Sequence, residues 1–427
     1  MVSIIMTSYN KPDTVGWAIQ SVLDQSYDNW ELYIMDDGSN QETKAAIQPF
    51  LSDSRIVYHN SHVAEEDRCK TTRYATLINE AIPMAKGAYL CYLTDDTIYL
   101  PDRLETMVNY LERNPDIDIV YSKQKVKHVN RFLHVISEYT RDTRGILCEA
   151  AKLVDHCSVM HRKTNAEIVY NKYGSYWDDH PDCWHDGDAA FWKRLNEFQC
   201  FHPIDKVLDI SIKGPHSFQS LNAFLPETLP DGTLIKSTIG VTFLIDNQQR
   251  RKIDDATCRA LKLNLQKRID VHDPLLFKYN EGTAIDQEVF SNASLFPNLR
   301  LVRSKKKADT YYIQNNEKRL ILNKAAFHRF KFSAIQQIFV PDSLLSQFRD
   351  GSPIASYLST DMMLPDRILF IHGSAFYLSF NNCLHRIDRN VRCRLGFSIK
   401  RAVKIDDPLF SAFRQGEPFI WKRDKNK

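Results

Sequence analysis

The chain has 427 residues, enough for two or three domains with sizeable cores. Its 43% hydrophobic and 26% charged content is that of a globular protein, and no apolar run reaches the roughly eighteen residues of a membrane span. With 56 basic and 53 acidic side chains the net charge is +3, too balanced to point to nucleic acid as the partner.

Val2–Met6 reads as a first strand, and a strand so early leaves no charged-then-apolar secretory signal. The turn Thr7-Ser8-Tyr9-Asn10-Lys11-Pro12 follows. Asp13 is placed to cap a helix whose apolar face is Val15, Ala18, Ile19, Val22 and Leu23. Trp30–Met35 is a second strand ending in Asp36-Asp37-Gly38-Ser39; a helix then runs to about Leu51, and Arg55–Tyr58 is a third strand. Thr71–Ala85 carries Leu77, Ile78, Ala81 and Ile82 at helical spacing, with Gly87 as the expected left-handed cap. Ala88–Leu93 is a fourth strand with Asp95-Asp96 at its end, and Pro101 opens a helix with the stripe Leu104, Met107, Val108 and Leu111. Extended segments near 117–122, 132–138 and 156–161 precede an aromatic loop, Tyr173 to His185, and a helix starting near Gly187-Asp188. Strands alternating with helices predict an α/β domain with a largely parallel sheet.

Pro215, Pro226, Pro230 and Gly232 crowd one stretch. The expected division is a first domain over 1–220, a linker or mobile loop over 221–235, and a C-terminal α/β domain of unknown fold over 236–427. There Thr238–Asp246, Thr310–Gln314 and Ile368–Phe380 read as strands, and Asp254–Arg268 as a basic amphipathic helix with a solvated face. No internal repeat and no catalytic motif is apparent in this half. The basic runs Arg303–Lys307 and Lys422–Lys427 read as a solvated loop and terminus. The nine cysteines are scattered and odd in number, without a CxxC pair, which points to buried thiols in a reducing compartment and to no zinc site.

In an open parallel sheet ligands bind beyond the carboxyl ends of the strands. Asp36-Asp37 and Asp95-Asp96 both stand at such ends and are expected to face one crevice. Asp-Gly is also an ordinary turn dipeptide, so the first pair alone is weak. Asp95-Asp96 is followed by Thr97-Ile98-Tyr99, not by turn residues, and two adjacent carboxylates raise each other's pKa unless a cation offsets them. Mn2+ or Mg2+, bound by carboxylates and substrate phosphates, answers that need. Without GxxxxGK[ST] or GxGxxG, a sugar nucleotide held by metal and side chains fits better than a P-loop or dinucleotide ligand.

The segments VSIIMTSYN (Val2–Asn10), MDDGS (Met35–Ser39), TDD (Thr94–Asp96) and GDAAFWKR (Gly187–Arg194) resemble the family 2 glycosyltransferases. TDDTIYLPDRL, DHCSVMHR and GSYWDDHP are similar to the spore-coat polysaccharide glycosyltransferases and two-domain spore maturation proteins of endospore-forming bacteria. The likeness covers about residues 1 to 220. It implies a GT-A-type, Rossmann-like mixed sheet flanked by helices. It also implies an inverting, metal-dependent transfer from a UDP- or dTDP-sugar to a carbohydrate or glycoprotein acceptor. By position, Thr7, Tyr9 and Lys11 line the nucleotide pocket, Asp37 accepts from the pyrimidine N–H, Arg68 reaches the nucleotide, and Asp95 sits near the ribose. Asp96 holds the metal, Asp155 lies near the acceptor, and Asp188 is the base. The polar loop Asp182-Cys183-Trp184-His185-Asp186 leaves Asp186 open as an alternative base. A cytoplasmic, mother-cell location reaching to the spore surface is implied, with spore-coat proteins or a second copy of the chain as partners.

Two other readings stand beside this one. A sugar nucleotidyltransferase needs a Gly-rich loop after the first strand, which Thr7 to Lys11 lacks. A catalytically inactive member of the fold, acting in coat assembly or carbohydrate binding, is separated from an enzyme by whether loss of Asp188 abolishes the biological effect. His156 and His161 alternate with apolar residues, which favours core or edge placement over metal binding. Tyr173, Tyr176, Trp177 and Trp184 divide between core and a sugar-stacking surface.

Overall fold

The computed structural model describes residues 1–359 and 362–421; the basic tail at Lys422 to Lys427 lies outside them. The chain forms two compact units, Met1–Ser220 and Leu221–Lys427.

The first unit is built on strands β1 (Val2–Ser8), β2 (Trp30–Asp36), β3 (Ile56–Asn60), β4 (Tyr89–Thr94), β5 (Thr97–Tyr99), β6 (Ile119–Val129), β7 (Val135–Arg141), β8 (Val159–Arg162) and β9 (His202–Lys213). Their order is β3-β2-β1-β4-β8-β6-β9-β5, with β7 on β6. The β3-β2-β1-β4 half is parallel, and β8 enters antiparallel to both β4 and β6. All seven residues of both β1 and β2 are buried, as expected of a central parallel strand covered on both faces. One face packs on α1 (Val15–Leu23) and α4 (Arg103–Arg113), the other on α3 (Arg73–Ala81), α5 (Lys163–Tyr173) and α6 (Gly187–Asn196), with α2 (Gln41–Ile47) numbered between α1 and α3.

Local readings needed correction where tertiary contacts decide them. Thr14, not Asp13, is the N-cap of α1, and it makes no side-chain capping bond. Gly87 is not left-handed: a Cβ there would lie 2.6 Å from the Ser3 backbone nitrogen, so the position requires glycine for close approach of β1. Cys148 and Cys200 form a disulfide, because the antiparallel bridge Leu147–Phe201 sets their Cα atoms 4.4 Å apart. Of the free thiols only Cys91, Cys157 and Cys258 are buried, so the cysteines no longer argue for a reducing compartment. Among the described residues, no helix is long and apolar enough to cross a membrane.

The second unit holds three five-stranded sheets of identical topology, which corrects the expectation of no repeat. In each, a three-stranded antiparallel meander is flanked by two strands that pair parallel to its outer members. The meanders are Leu234–Lys236/Thr242–Asp246/Gln249–Ile253, Arg300–Ser304/Thr310–Gln314/Glu317–Ile321 and Leu369–His372/Ala375–Phe380/Cys383–Ile387. The second hairpin of each turns on two left-handed residues, Asn247-Gln248, Asn315-Asn316 and Asn381-Asn382. Each last strand has a glycine, Gly282, Gly351 or Gly416, against Arg251, Arg319 or His385 of the meander. Hydrophobic clusters join the first repeat to the second, the first to the third, and the second to the third, so the repeats close into a ring. The basic helix expected over 254–268 is a short helix, Asp255–Ala260, and a separate turn, Leu265–Lys267. Residues 221–235, where a linker or mobile loop is expected, carry Leu225 and Leu229 into this unit's core.

Candidate active site

β1, β2 and β4 end together, and their last residues carry the acidic turns. The Asp37 backbone N–H donates to Ser8 O, and Tyr9 N–H donates to Asp95 Oδ2 at 2.7 Å, so the turn after β1 ties both acidic turns to itself. Thr7 lies in register between Met35 and Thr94 at this edge.

The two acidic pairs are neutralised differently. Asp36 accepts from Ser39 N–H, the Tyr58 hydroxyl and Asn60 Nδ2. Asp37 is buried between two arginines: Arg68 donates to Oδ2 at 2.7 Å, and Arg73 donates twice to Oδ1 at 3.0 and 2.7 Å. Ser61 adds a fourth donor, to Oδ1. A carboxylate has about four acceptor positions, two per oxygen, so only Oδ2 keeps room for a further donor. The first pair is thus held by guanidinium and local hydrogen bonds. Arg68 also stacks on the Tyr9 ring at 3.8 Å, joining two of the expected nucleotide residues.

Asp95 and Asp96 face a different field. Burial pushes the Asp95 carboxyl up to about 7; Lys11 pulls it down, Asp96 pushes it up, and the Tyr9 N–H bond pulls it down. Asp96 is also buried, but Lys213 and Lys11 hold its carboxyl below the usual range, at 4.0 and 3.6 Å. Thr94 donates to Asp96 at 2.9 Å and lies 3.6 Å from Cys157 Sγ.

That threonine leads to the other expected residues. Asp155 caps the turn His156–Ser158 by accepting from Cys157 N–H, and it pairs with Arg141 at 2.8 Å. Burial would raise its carboxyl, but His156, Lys213 and Arg141 hold it well below the usual range. His156 Nδ1 stands 3.9 Å from Asp188 Oδ2. Burial would lower the imidazole, and Cys157, Asp188 and Asp155 outweigh it and raise it well above its ordinary value. Asp188 lies in the first turn of α6, whose start is fixed by Tyr74: Gly187 N–H donates to the Tyr74 hydroxyl at 3.0 Å. A Cβ on Gly187 would meet that oxygen at 2.5 Å. Asp186 instead pairs with Lys152 at 3.2 Å.

A family model described as Glycosyl transferase family 2 matches residues 3–169. Protein CgeD of Bacillus subtilis (strain 168) is 40% identical over 420 residues, covering 98% of this chain and 95% of that one. The chain belongs to glycosyl transferase family 2. The Escherichia coli enzyme named UDP-Glc:alpha-D-GlcNAc-diphosphoundecaprenol beta-1,3-glucosyltransferase WfgD is 34% identical over 130 residues, 30% of this chain and 48% of that enzyme. A crystal structure of S. aureus TarS 1-349 in complex with UDP-GlcNAc overlaps at a TM-score of 0.40 and 11% identity, over 53% of this chain and 62% of that one.

The first unit of this glycosyltransferase has a mixed sheet of the GT-A type, and its fold gathers Thr7, Tyr9, Lys11, Asp95, Asp96, Asp155 and Asp188 along one path. Arg73, Tyr74, Arg141, His156 and Lys213 were not among the expected residues. Lys213 ends β9, far in sequence from Asp96, and Arg141 ends the edge strand β7. His156 falls in a short turn before β8, not in the strand, and so escapes the core. His161 does lie in the core: fully buried, bonded to the Tyr92 hydroxyl, and lowered by burial to about 4. Trp177 and Tyr176 are core residues too, whereas half-buried Trp184 stacks on Phe218.

Proposed function

We propose that the glycosyltransferase moves a sugar from a UDP- or dTDP-sugar to an acceptor hydroxyl with inversion. The observation that carries this reading is the unbroken path from Asp96 through Thr94 and the Asp155–Cys157 turn to Asp188. It supports a reading in which Asp96 serves the diphosphate and Asp188 the acceptor hydroxyl within one site. Asp188 takes the acceptor proton as the hydroxyl oxygen attacks the anomeric carbon, and the C–O bond to the diphosphate breaks. One carboxylate as base, with no second as nucleophile, corresponds to inversion. Lys11 and Lys213 face the leaving diphosphate as charge builds on it. His156, raised toward its charged form, faces Asp188 Oδ2 at 3.9 Å, while Oδ1 accepts from Ala189 N–H and keeps a second acceptor position for the hydroxyl.

The donor set at Asp96 fits a divalent ion. Its carboxylate offers hard oxygens, and both lysines stand beyond hydrogen-bond length, at 3.6 and 4.0 Å. Mn2+ or Mg2+ bound there supplies Lewis-acid stabilisation of the diphosphate. Arg68, Tyr9 and the open position on Asp37 Oδ2 form the base pocket, and Asp95 lies toward the ribose. The names of relatives that use UDP-sugars support a uridine donor, and the resemblance to spore-coat glycosyltransferases supports an acceptor of the spore surface.

A donor screen by nucleotide-sugar hydrolysis, with Mn2+, Mg2+ or chelator, tests this reading. UDP or dTDP raises the melting temperature, more strongly with the ion. No shift from either at millimolar concentration, in any cation, overturns it.

A further inference from the structure

We propose that the ring of the second unit binds a compact phosphate-bearing anion in its central cavity. This cavity, of about 200 Å³, is lined by equivalent segments of all three repeats. Its basic side chains are Lys262, Lys267, Arg300, Lys331, Arg367 and Arg401, and among the described residues no aspartate or glutamate lines it. Among the described residues none of the six forms an ion pair. The bonds they do make go to neutral groups. Arg367 donates to Asp231 O and Thr233 Oγ1, Lys267 to Gly396 O, Arg401 to Gln336 Oε1, and Arg300 weakly to Asn298 O.

The cations also repel one another. Burial, then Arg300, lowers Arg367 to about 10; burial, then Arg401 and Arg367, lowers Lys267. Gathering like charges in a concave, partly desolvated space is unfavourable without a counter-charge, and a ligand that supplies one is bound in proportion. Leu234, Leu301 and Leu369 line the same cavity at matching positions, so the charge stands over an apolar wall.

The backbone gives an independent sign. After the short helix of each repeat one residue takes the left-handed conformation: Lys262 at φ 54°, Lys331 at φ 57° and Gly396 at φ 71°. Glycine is the residue that suits this position. Two of the three repeats carry lysine there instead, and both lysines line the cavity. A surface role would not require a lysine at that strained position.

Phosphate matches this array better than a single carboxylate, because several donors must be shared by one small group. The source is either a free diphosphate or phosphorylated sugar, or the phosphate headgroup of a lipid. The inference does not depend on the activity of the first unit.

Pyrophosphate is titrated into the full chain by calorimetry, in chelator and at two salt concentrations, for wild type, K262Q/K331Q and K213A. Wild type binds, more weakly at higher salt. K262Q/K331Q loses at least tenfold in affinity while its UDP response in Mn2+ is unchanged, and K213A retains the chelator-insensitive site. Vesicles of phosphatidylcholine with and without phosphatidic acid are sedimented in parallel. Retention on the acidic vesicles alone, lost in K262Q/K331Q, assigns a lipid headgroup; pyrophosphate binding without retention assigns a soluble ligand. Pyrophosphate affinity equal in wild type and K262Q/K331Q, or no binding by wild type in either assay, overturns the proposal.

Discussion

The two units handle charge in opposite ways. At the strand ends of the first, carboxylates meet cations: Asp37 has Arg68 and Arg73, Asp96 has Lys11 and Lys213, and Asp155 has Arg141. In the ring of the second, six cations share a cavity that, among the described residues, no carboxylate lines. A site whose charges are already balanced accepts a ligand by exchanging partners, and it suits a reaction in which charge moves. A site of one sign suits holding an anion. The first depends on long-range convergence of unlike loops, the second on one short motif repeated around a ring.

The largest effect belongs to the proposed base. Asp188→Asn should lower transfer by about 10²–10⁴-fold, the usual contribution of a general base, and leave nucleotide binding unchanged. Asp186→Asn, which breaks the pair with Lys152, should stay within a few-fold of wild type. Steady-state rates beside nucleotide titrations decide this. The reverse pattern would move the base to Asp186 and break the path from Asp96.

The pairing of charge in the first unit can also be broken from below. Arg103 and Asp209 are both fully buried, at 3.2 Å. Asp209 continues through Gln124 and Arg141 to Asp155, so the pair supports the Asp155 turn. Arg103→Met strands a buried carboxylate and should cost about 3–5 kcal/mol in chemical denaturation. A loss under about 1 kcal/mol would show that Asp209 takes up a proton at little cost, outside the range for a broken buried pair.

Much of the first unit is legible in its sequence, because β1, β2 and β4 are continuous apolar runs ending in acids. Strand end and acidic turn together give the expected positions of Asp37, Asp95 and Asp96. Lys213, Arg141 and His156 are not legible, since they reach the site only through the reversed strand β8 and the pairing of β6 with β7 and β9. The ring escapes for another reason. Its helices, such as Asp255–Ala260 and Lys324–Arg329, are too short for a periodic signal, and its shared motif, Asp273-Pro274-Leu275 to Gly282, Asp342-Ser343-Leu344 to Gly351 and Asp407-Pro408-Leu409 to Gly416, shows only when these distant segments are set side by side.

A smaller effect tests the field around Asp95. Its carboxyl, pushed up to about 7 in the folded chain against about 3.9 unfolded, favours the folded state while protonated. That contribution is complete below about pH 4 and is lost as pH rises toward 7. Asp155 acts in the opposite sense: its lowered carboxyl stabilises above the ordinary range and is lost in acid. Asp95→Asn should therefore gain melting temperature relative to wild type between pH 5 and about 7.5. A difference that does not vary with pH would show that Asp95 is ionised throughout, already paired as Asp37 is.

The smallest expected effect sets stability against binding in the ring. Lys331 occupies the left-handed position that Gly396 fills in the third repeat. Lys331→Gly relieves that conformation, worth up to about 1 kcal/mol, with little loss of packing because the side chain is exposed. It also removes one cation from the cavity. If the lysine is there for an anion, the variant melts higher than wild type and binds pyrophosphate more weakly. If it is incidental, stability rises and binding does not change. The two readings share the first outcome and part on the second, so the paired measurement distinguishes a residue kept for its charge from one merely tolerated in a turn.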